Sequence, residues 1–181
     1  KGVKATFFVI GREDETSIQR IKKAAAAGHT IGMNSYSHDY EKIYTSVEDF
    51  LDDFYKLFVI LRDEAGVTPT VFRFPGGSLN NYNQGVYKEI IAEMLRRGFR
   101  YYDWNVESGD VDGATWTDMY NSIPSDIANC YRSIVLMHDS NSTPNTVLVL
   151  GDVLHALVSD GYKFDKINND TRPVQFTGPF A

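Results

Sequence analysis

The chain has 181 residues, 43% of them hydrophobic and 23% charged, a length that fits one globular domain. With 18 Lys and Arg against 24 Asp and Glu the formal charge is −6, and no run of like charges makes a phosphate-binding stripe, which argues against nucleic acid and against an anionic membrane surface as partners. No apolar run approaches the roughly 18–20 residues that span a bilayer, and the single cysteine, Cys130, excludes an internal disulfide framework and a cysteine-based zinc cage.

Lys1-Gly2-Val3-Lys4 leads straight into a strand-like segment and not into a signal-peptide core, so any export signal is expected outside this chain. Val3 to Ile10 is a β-branched and aromatic run stopped by Gly11, as a buried strand should be. Ser17 to Ala27 carries strong helix formers, with Ile18 and Ile21 on one face and Gly28 at the stop. His29 to Met33 reads as a second strand. The clearest helix opens at Thr45-Ser46 with Glu48 and Asp49 as capping partners, and Phe50, Leu51, Phe54, Leu57, Phe58 and Leu61 follow at helical spacing. Asp52-Asp53 is expected on its solvent side. Val71 to Phe74 is a strand, Val86 to Arg97 a helix, Phe99 to Trp104 a strand, and Trp116 to Asn129 a helix. Ser133 to Met137 is a strand, Thr146 to Ser159 a helix, and Tyr162 to Ile167 a last strand. Strands alternating with helices imply βαβ units and a parallel sheet, open or closed. No repeat or linker interrupts the pattern, so one continuous domain over residues 1–181 is expected.

In parallel α/β folds, functional groups gather where strands end. Here those ends carry Asn34 to Asp39, Arg73 to Ser78, Asp103 to Asp110, and His138 to Ser140, which hold most of the chain's unusual polar residues. His38 reads either as a loop-capping histidine or, four residues from Asn34, as half of a metal-ligand pair. Arg73 between Phe72 and Phe74 reads as a surface arginine or as a buried charge that needs an anion. His138, closing the apolar run Ile134 to Met137, is either a histidine satisfied by backbone or an imidazole at the mouth of the sheet, held protonated by a carboxylate such as Asp110. Gly76-Gly77 is a turn, or a place where backbone N–H groups approach a substrate oxygen. Asn80, Asn81 and Tyr82 offer hydrogen bonds and an aromatic face suited to a polar ring. His29 and His155 read as structural.

These segments, in this order, resemble the polysaccharide deacetylase family, the NodB-like carbohydrate esterases. Gly2 to Gly11 is similar to the family's second strand, Ala27 to Gly32 followed by Ser35-Tyr-Ser-His38 to its histidine motif, Arg73-Phe-Pro-Gly-Gly77 to its arginine motif, Asp103 to Asp110 to its fourth motif, and Ile134 to Asp139 to its last. The resemblance implies a distorted seven-stranded (β/α) barrel, (β/α)7, lacking its first strand and helix in this chain, so that Val3 to Ile10 has an unpaired edge. It implies removal of acetyl groups from N-acetylated sugars of a cell-wall or extracellular polysaccharide, peptidoglycan first, with chitin or xylan as other substrates. It also implies an extracellular or cell-wall location. The cofactor implied is a divalent metal, zinc foremost, with cobalt, manganese or nickel as alternatives. By motif, His38 is a metal ligand. Arg73 orients the catalytic base, and Asp110 holds His138, the acid for the leaving amine. Gly76 supplies an oxyanion N–H, Leu136 lines the acetyl pocket, and Trp104 and Tyr82 contact substrate.

Two departures accompany the match. The family's Thr-Phe-Asp-Asp-Gly motif is absent and is expected before Lys1. Asn34 stands where the family has a metal-binding histidine, and an amide oxygen is a harder, weaker zinc donor than imidazole. A glycan-binding protein without catalysis, and an amidase acting on a small non-sugar substrate, are the alternatives.

Overall fold

In the computed structural model, which describes residues 2–177, the chain divides into two compact units. The first comprises Lys4–Asp103 and the segment from Asp165 onward. Its parallel sheet has the order β1 (Thr6–Val9), β2 (Thr30–Met33), β3 (Val71–Phe72), β4 (Arg100–Tyr101). Thr6 pairs with Thr30 and Val9 with Met33; Met33 pairs with Phe72, and Phe72 with Tyr101. Among the described residues β1 lies at the sheet edge, paired only with β2.

The intervening helices are α1 (Glu15–Ala26), α2 (Tyr40–Ile43), α3 (Val47–Asp63) and α4 (Tyr87–Arg96). Helix α3 starts where the sequence sets a cap: Ser46 Oγ accepts the Asp49 N–H at 3.0 Å. Its apolar face lays Phe50, Phe54, Leu57 and Leu61 on the sheet, each at most 2% exposed. The Phe50 and Phe54 rings stack at 4.4 Å, and Phe72 and Phe74 complete the aromatic centre of the core.

The second unit comprises Trp104–Phe164 with the first residues of the chain. Here β5 (Val106–Glu107) pairs in parallel with β6 (Val135–Leu136), and α5 (Trp116–Ala128) and α6 (Pro144–Ser159) cover them. Val106, Met119, Ile123, Ile127, Val149, Val153 and Leu157 form its core. Thr115 and Asp118 make a reciprocal capping box at the start of α5, and α6 begins on Pro144, where a missing N–H costs nothing.

The helices fall within three residues of their sequence-based bounds, but the strands differ. The expected strand Phe99 to Trp104 stops at Tyr101, because the Asp103 N–H turns to Val174 O at 2.8 Å, and a separate strand, β5, starts at Val106. The expected strand Tyr162 to Ile167 does not form. Its backbone groups go elsewhere: Ile167 N–H donates to Thr6 Oγ1 at 2.8 Å, Ile167 O accepts from Thr30 Oγ1 at 2.7 Å, and the Lys166 N–H donates to Asp165 Oδ1 at 2.7 Å. The short helix α2, four residues long, lacks the periodicity that would have announced it.

Candidate functional site

Beyond β2 the chain turns sharply. The Asn34 N–H still donates to Val9 O at 2.8 Å, holding the start of the turn on the ladder. Ser35 and His38 then take left-handed backbone, with φ of 66° and 56°, a conformation uncommon in residues that carry a Cβ. Ser35 is fully buried, and its Oγ accepts the His38 N–H at 2.9 Å. Gly11 closes one side of this loop: its N–H donates to Tyr36 O at 2.9 Å, and a Cβ there would lie 2.2 Å from the Tyr36 ring. Asp53 closes the other, accepting the N–H groups of Tyr36 and Ser37. Asn34 Oδ1 is buried and has no hydrogen-bond partner among the described residues.

The position of Asp53 corrects the sequence reading. Asp52 faces solvent, but Asp53 is 9% exposed. The signal was present: Asp53 is three residues after Phe50 and four before Leu57, which places it on the buried face of α3.

Beyond β3, Arg73 is 8% exposed. Its Nε donates to Tyr102 O at 2.9 Å and its Nη2 to Asp103 O at 3.3 Å, and the guanidinium lies 4.3 Å from the Phe8 ring centroid. Burial pulls its pKa down to about 10, against the opposing pull of the Asp103 charge. Arg73 is therefore the buried cation of the two readings, and Asp103, fully buried, is the anion near it. Burial pushes the Asp103 carboxyl up, although it accepts hydrogen bonds from the Ser78 hydroxyl and the N–H groups of Ser78 and Phe176.

The following turn is fixed by its carbonyls: Pro75 O accepts from Tyr44 Oη at 2.7 Å, and Gly77 O from Asn80 Nδ2 at 3.0 Å. Gly76 is exposed with φ 75°, and a Cβ there would lie 3.2 Å from the Tyr40 ring. That ring sits between His38 and Tyr82, at 5.3 and 5.4 Å. Tyr82 is 52% exposed, so an aromatic face accompanies the Gly76 backbone. Asn34, His38, Arg73, Gly76 and Tyr82 thus belong to one unit.

Asp110, His138, Leu136 and Trp104 belong to the other. Asp110 Oδ2 accepts the His138 N–H at 2.7 Å and the Thr146 hydroxyl at 2.8 Å, and Asp110 Oδ1 lies 2.9 Å from His138 Nδ1. Burial pushes the Asp110 pKa up, but hydrogen bonds from His138, Thr146 and Ser108 outweigh it and hold the carboxyl below its ordinary value. Thr146, on the first turn of α6, gave no signal in the sequence, because a threonine near a helix start is ordinarily a cap. Thr143 Oγ1 donates to His138 O at 2.9 Å and steadies the same strand end. Leu136 is half-buried on β6, and Trp104 Nε1 donates to Glu107 Oε1.

The residues that face a metal in the sequence reading are an imidazole and an amide oxygen. Among the described residues no three of His, Cys, Asp or Glu are grouped to hold a metal ion. An orphaned buried oxygen on Asn34 suits a ligand, but it and His38 fall short of the three or four protein donors of a zinc site.

The carboxylate–imidazole pair stands beyond parallel strands in one unit, and the buried arginine and glycine turn stand beyond a parallel strand in the other. The chain belongs to the polysaccharide deacetylase family, whose model matches residues 1–96, and its fold is the α/β fold of the (β/α)7 deacetylases. It is 28% identical to a peptidoglycan-N-acetylglucosamine deacetylase of Bacillus cereus over 96% of this chain and 63% of that protein. The catalytic domain of the peptidoglycan N-acetylglucosamine deacetylase from Eubacterium rectale superposes with a TM-score of 0.88 at 29% identity, over 97% of this chain and 81% of that one. A family pseudoenzyme from Bacillus anthracis shares the fold, at a TM-score of 0.74 and 24% identity, over 91% of this chain and 54% of that one. The chain spans about 60% of the length of the first curated relatives it matches, 63% and 60%. Members of the family are generally metal-dependent, and no helix among the described residues is long and apolar enough to cross a membrane.

Proposed function

We propose that this protein removes acetyl groups from N-acetylated sugars of a cell-wall glycan, peptidoglycan first, outside the cytoplasm. The observation that carries the reading is the Asp110–His138 pair. With Nδ1 held 2.9 Å from a carboxylate kept ionised, Nε2 is the atom that passes a proton on. In the reaction a base takes a proton from water as its oxygen adds to the acetyl carbon, and the C–N bond then breaks as the sugar nitrogen takes a proton from His138 Nε2, releasing acetate. Trp104 offers an aromatic face in the unit of His138, and in the other unit Gly76 has an exposed backbone and Tyr82 an exposed ring, groups of the kind an acetylated sugar uses. Arg73 supplies a fixed positive charge at the end of β3, which favours an ionised base nearby. Zinc is the metal favoured by the family reading, and His38 and Asn34 are the donors this chain would offer it.

The full-length protein, supplied in turn with zinc, cobalt, manganese and nickel, should release acetate from an N-acetylglucosamine oligomer or from peptidoglycan. His138→Ala should lower the rate about 100-fold or more. No acetate from any acetylated glycan with any of these metals overturns the reading.

A second reading, a glycan-binding protein without catalysis, is favoured by the amide at residue 34 and the incomplete donor set. Elemental analysis separates the two, since one tightly held metal per chain counts against binding alone. Asn34→His should raise metal affinity if residue 34 faces the metal, and unchanged affinity removes it from the site.

A further inference from the structure

We propose that Asp53 is a positioning residue for the loop that carries Asn34 and His38, and that it keeps the Asn34 side-chain oxygen available to a ligand. Asparagine in a tight turn ordinarily accepts a hydrogen bond from the N–H two residues on. Here that N–H, of Tyr36, goes instead to Asp53 Oδ1 at 2.6 Å, and the next, of Ser37, is shared between the two Asp53 oxygens at 3.2 and 3.1 Å. The third, of His38, goes to Ser35 Oγ at 2.9 Å. All three amides beyond Ser35 are taken, and Asn34 Oδ1 is left buried and unpartnered.

The choice of a carboxylate for this task has a physical reason. A buried ionised carboxylate is an acceptor only, and consecutive backbone N–H groups satisfy it with charge-assisted bonds stronger than an amide oxygen would make. Asp53 therefore outcompetes Asn34 for the same donors. The bonds also hold a backbone that its own residues disfavour, since Ser35 and His38 have φ of 66° and 56° without being glycine. Lys56, one turn further along α3, is engaged elsewhere: its Nζ lies 3.6 Å from the Tyr36 ring centroid and 3.5 Å from Glu13. The Tyr36 ring thus meets Lys56 and Gly11, while its backbone N–H meets Asp53.

The activity consequence rests on the deacetylase reading, and the placement of the loop does not. Asp53→Asn and Asp53→Ala in the full-length protein test both. In NMR spectra the Tyr36 and Ser37 amide protons should move upfield in each variant, and the Asn34 side-chain amide and His38 ring signals should shift with them. On an acetylated oligomer, well below the unfolding midpoint of each variant, kcat should fall about tenfold or more in Asp53→Ala with KM within twofold. Asp53→Asn, which keeps one acceptor oxygen, should recover part of it. A lowered midpoint with kcat unchanged makes the carboxylate a stabiliser only and overturns the proposal. If the parent protein releases no acetate the deacetylase reading fails, and the NMR signals decide alone: Asn34 and His38 resonances unmoved in Asp53→Asn overturn the positioning role.

Discussion

Asp110 gathers its hydrogen bonds where a carboxylate would otherwise be costly. The N–H groups of His138 and Val111 and the hydroxyl of Thr146 lie 2.7, 3.0 and 2.8 Å from its oxygens, and His138 Nδ1 2.9 Å. Its pKa in the folded protein is consequently below the value near 3.9 of an unfolded chain. A depressed carboxylate contributes stability that is present above the unfolded value and is lost as pH falls through the folded one. Asp110→Asn should therefore lower stability at pH 7 by about 1–3 kcal/mol, the scale of hydrogen bonds to a charged group. It should also flatten the acid decline below pH 4. Urea unfolding from pH 2 to 7 measures both, and an acid limb of unchanged steepness would show that Asp110 is not the titrating group. His138 and Arg73 stand out in the sequence because a charge or imidazole at the end of an apolar strand is conspicuous, and Asp110 enters only as a carboxylate that could lie beside His138. Asp53 does not stand out, because the helical spacing of α3 draws the eye to its apolar members, and an acidic residue among them reads as solvent-facing until its register with Phe50 and Leu57 is counted.

At the level of elements, the bounds of the longer helices are legible in the sequence and those of the strands are not. A helix carries its own start signal and enough turns to show a period, as the Thr115–Asp118 box and the apolar stripe of α3 do. Strands β3 to β6 have two residues each, too short for alternation to register, and whether Tyr162 to Ile167 joins a ladder depends on Thr6 and Thr30, more than a hundred residues away. The caps carry a direct prediction: Thr115→Ala should cost about 1 kcal/mol, read as a lower urea midpoint with unchanged slope. The turn after β3 carries another. Gly76→Ala should cost roughly 1–2 kcal/mol for its left-handed backbone, and a further amount because the new methyl meets the Tyr40 ring at 3.2 Å. The steric part vanishes when Tyr40 is also truncated, so the double variant Gly76→Ala, Tyr40→Ala should be more stable than the sum of the singles by about 0.5 kcal/mol or more. Strict additivity would mean that the ring moves aside without strain.

Across the whole molecule the division falls at a single backbone choice. Tyr102 N–H still serves the sheet, bonding Phe72 O at 3.1 Å, whereas Asp103 N–H bonds Val174 O and the next strand begins a second sheet. Length and composition carry no trace of such a turn. The cores are unequal. In the first unit Phe50, Phe54, Leu57, Leu61, Phe72, Phe74, Ile90 and Met94 are each at most 2% exposed. The second rests on seven buried side chains, none of them aromatic, and α6 leaves Val147 and Leu148 each 66% exposed. Less apolar area removed from water means a smaller free energy of local opening. Native-state hydrogen exchange at neutral pH should therefore find the slowest amides in β2 and α3. The amides of α5 and α6 should exchange at least about tenfold faster, a difference of about 1.4 kcal/mol in opening free energy. Equal protection in the two units, or slower exchange in α5 and α6, would mean that burial in the separate cores does not set their stability.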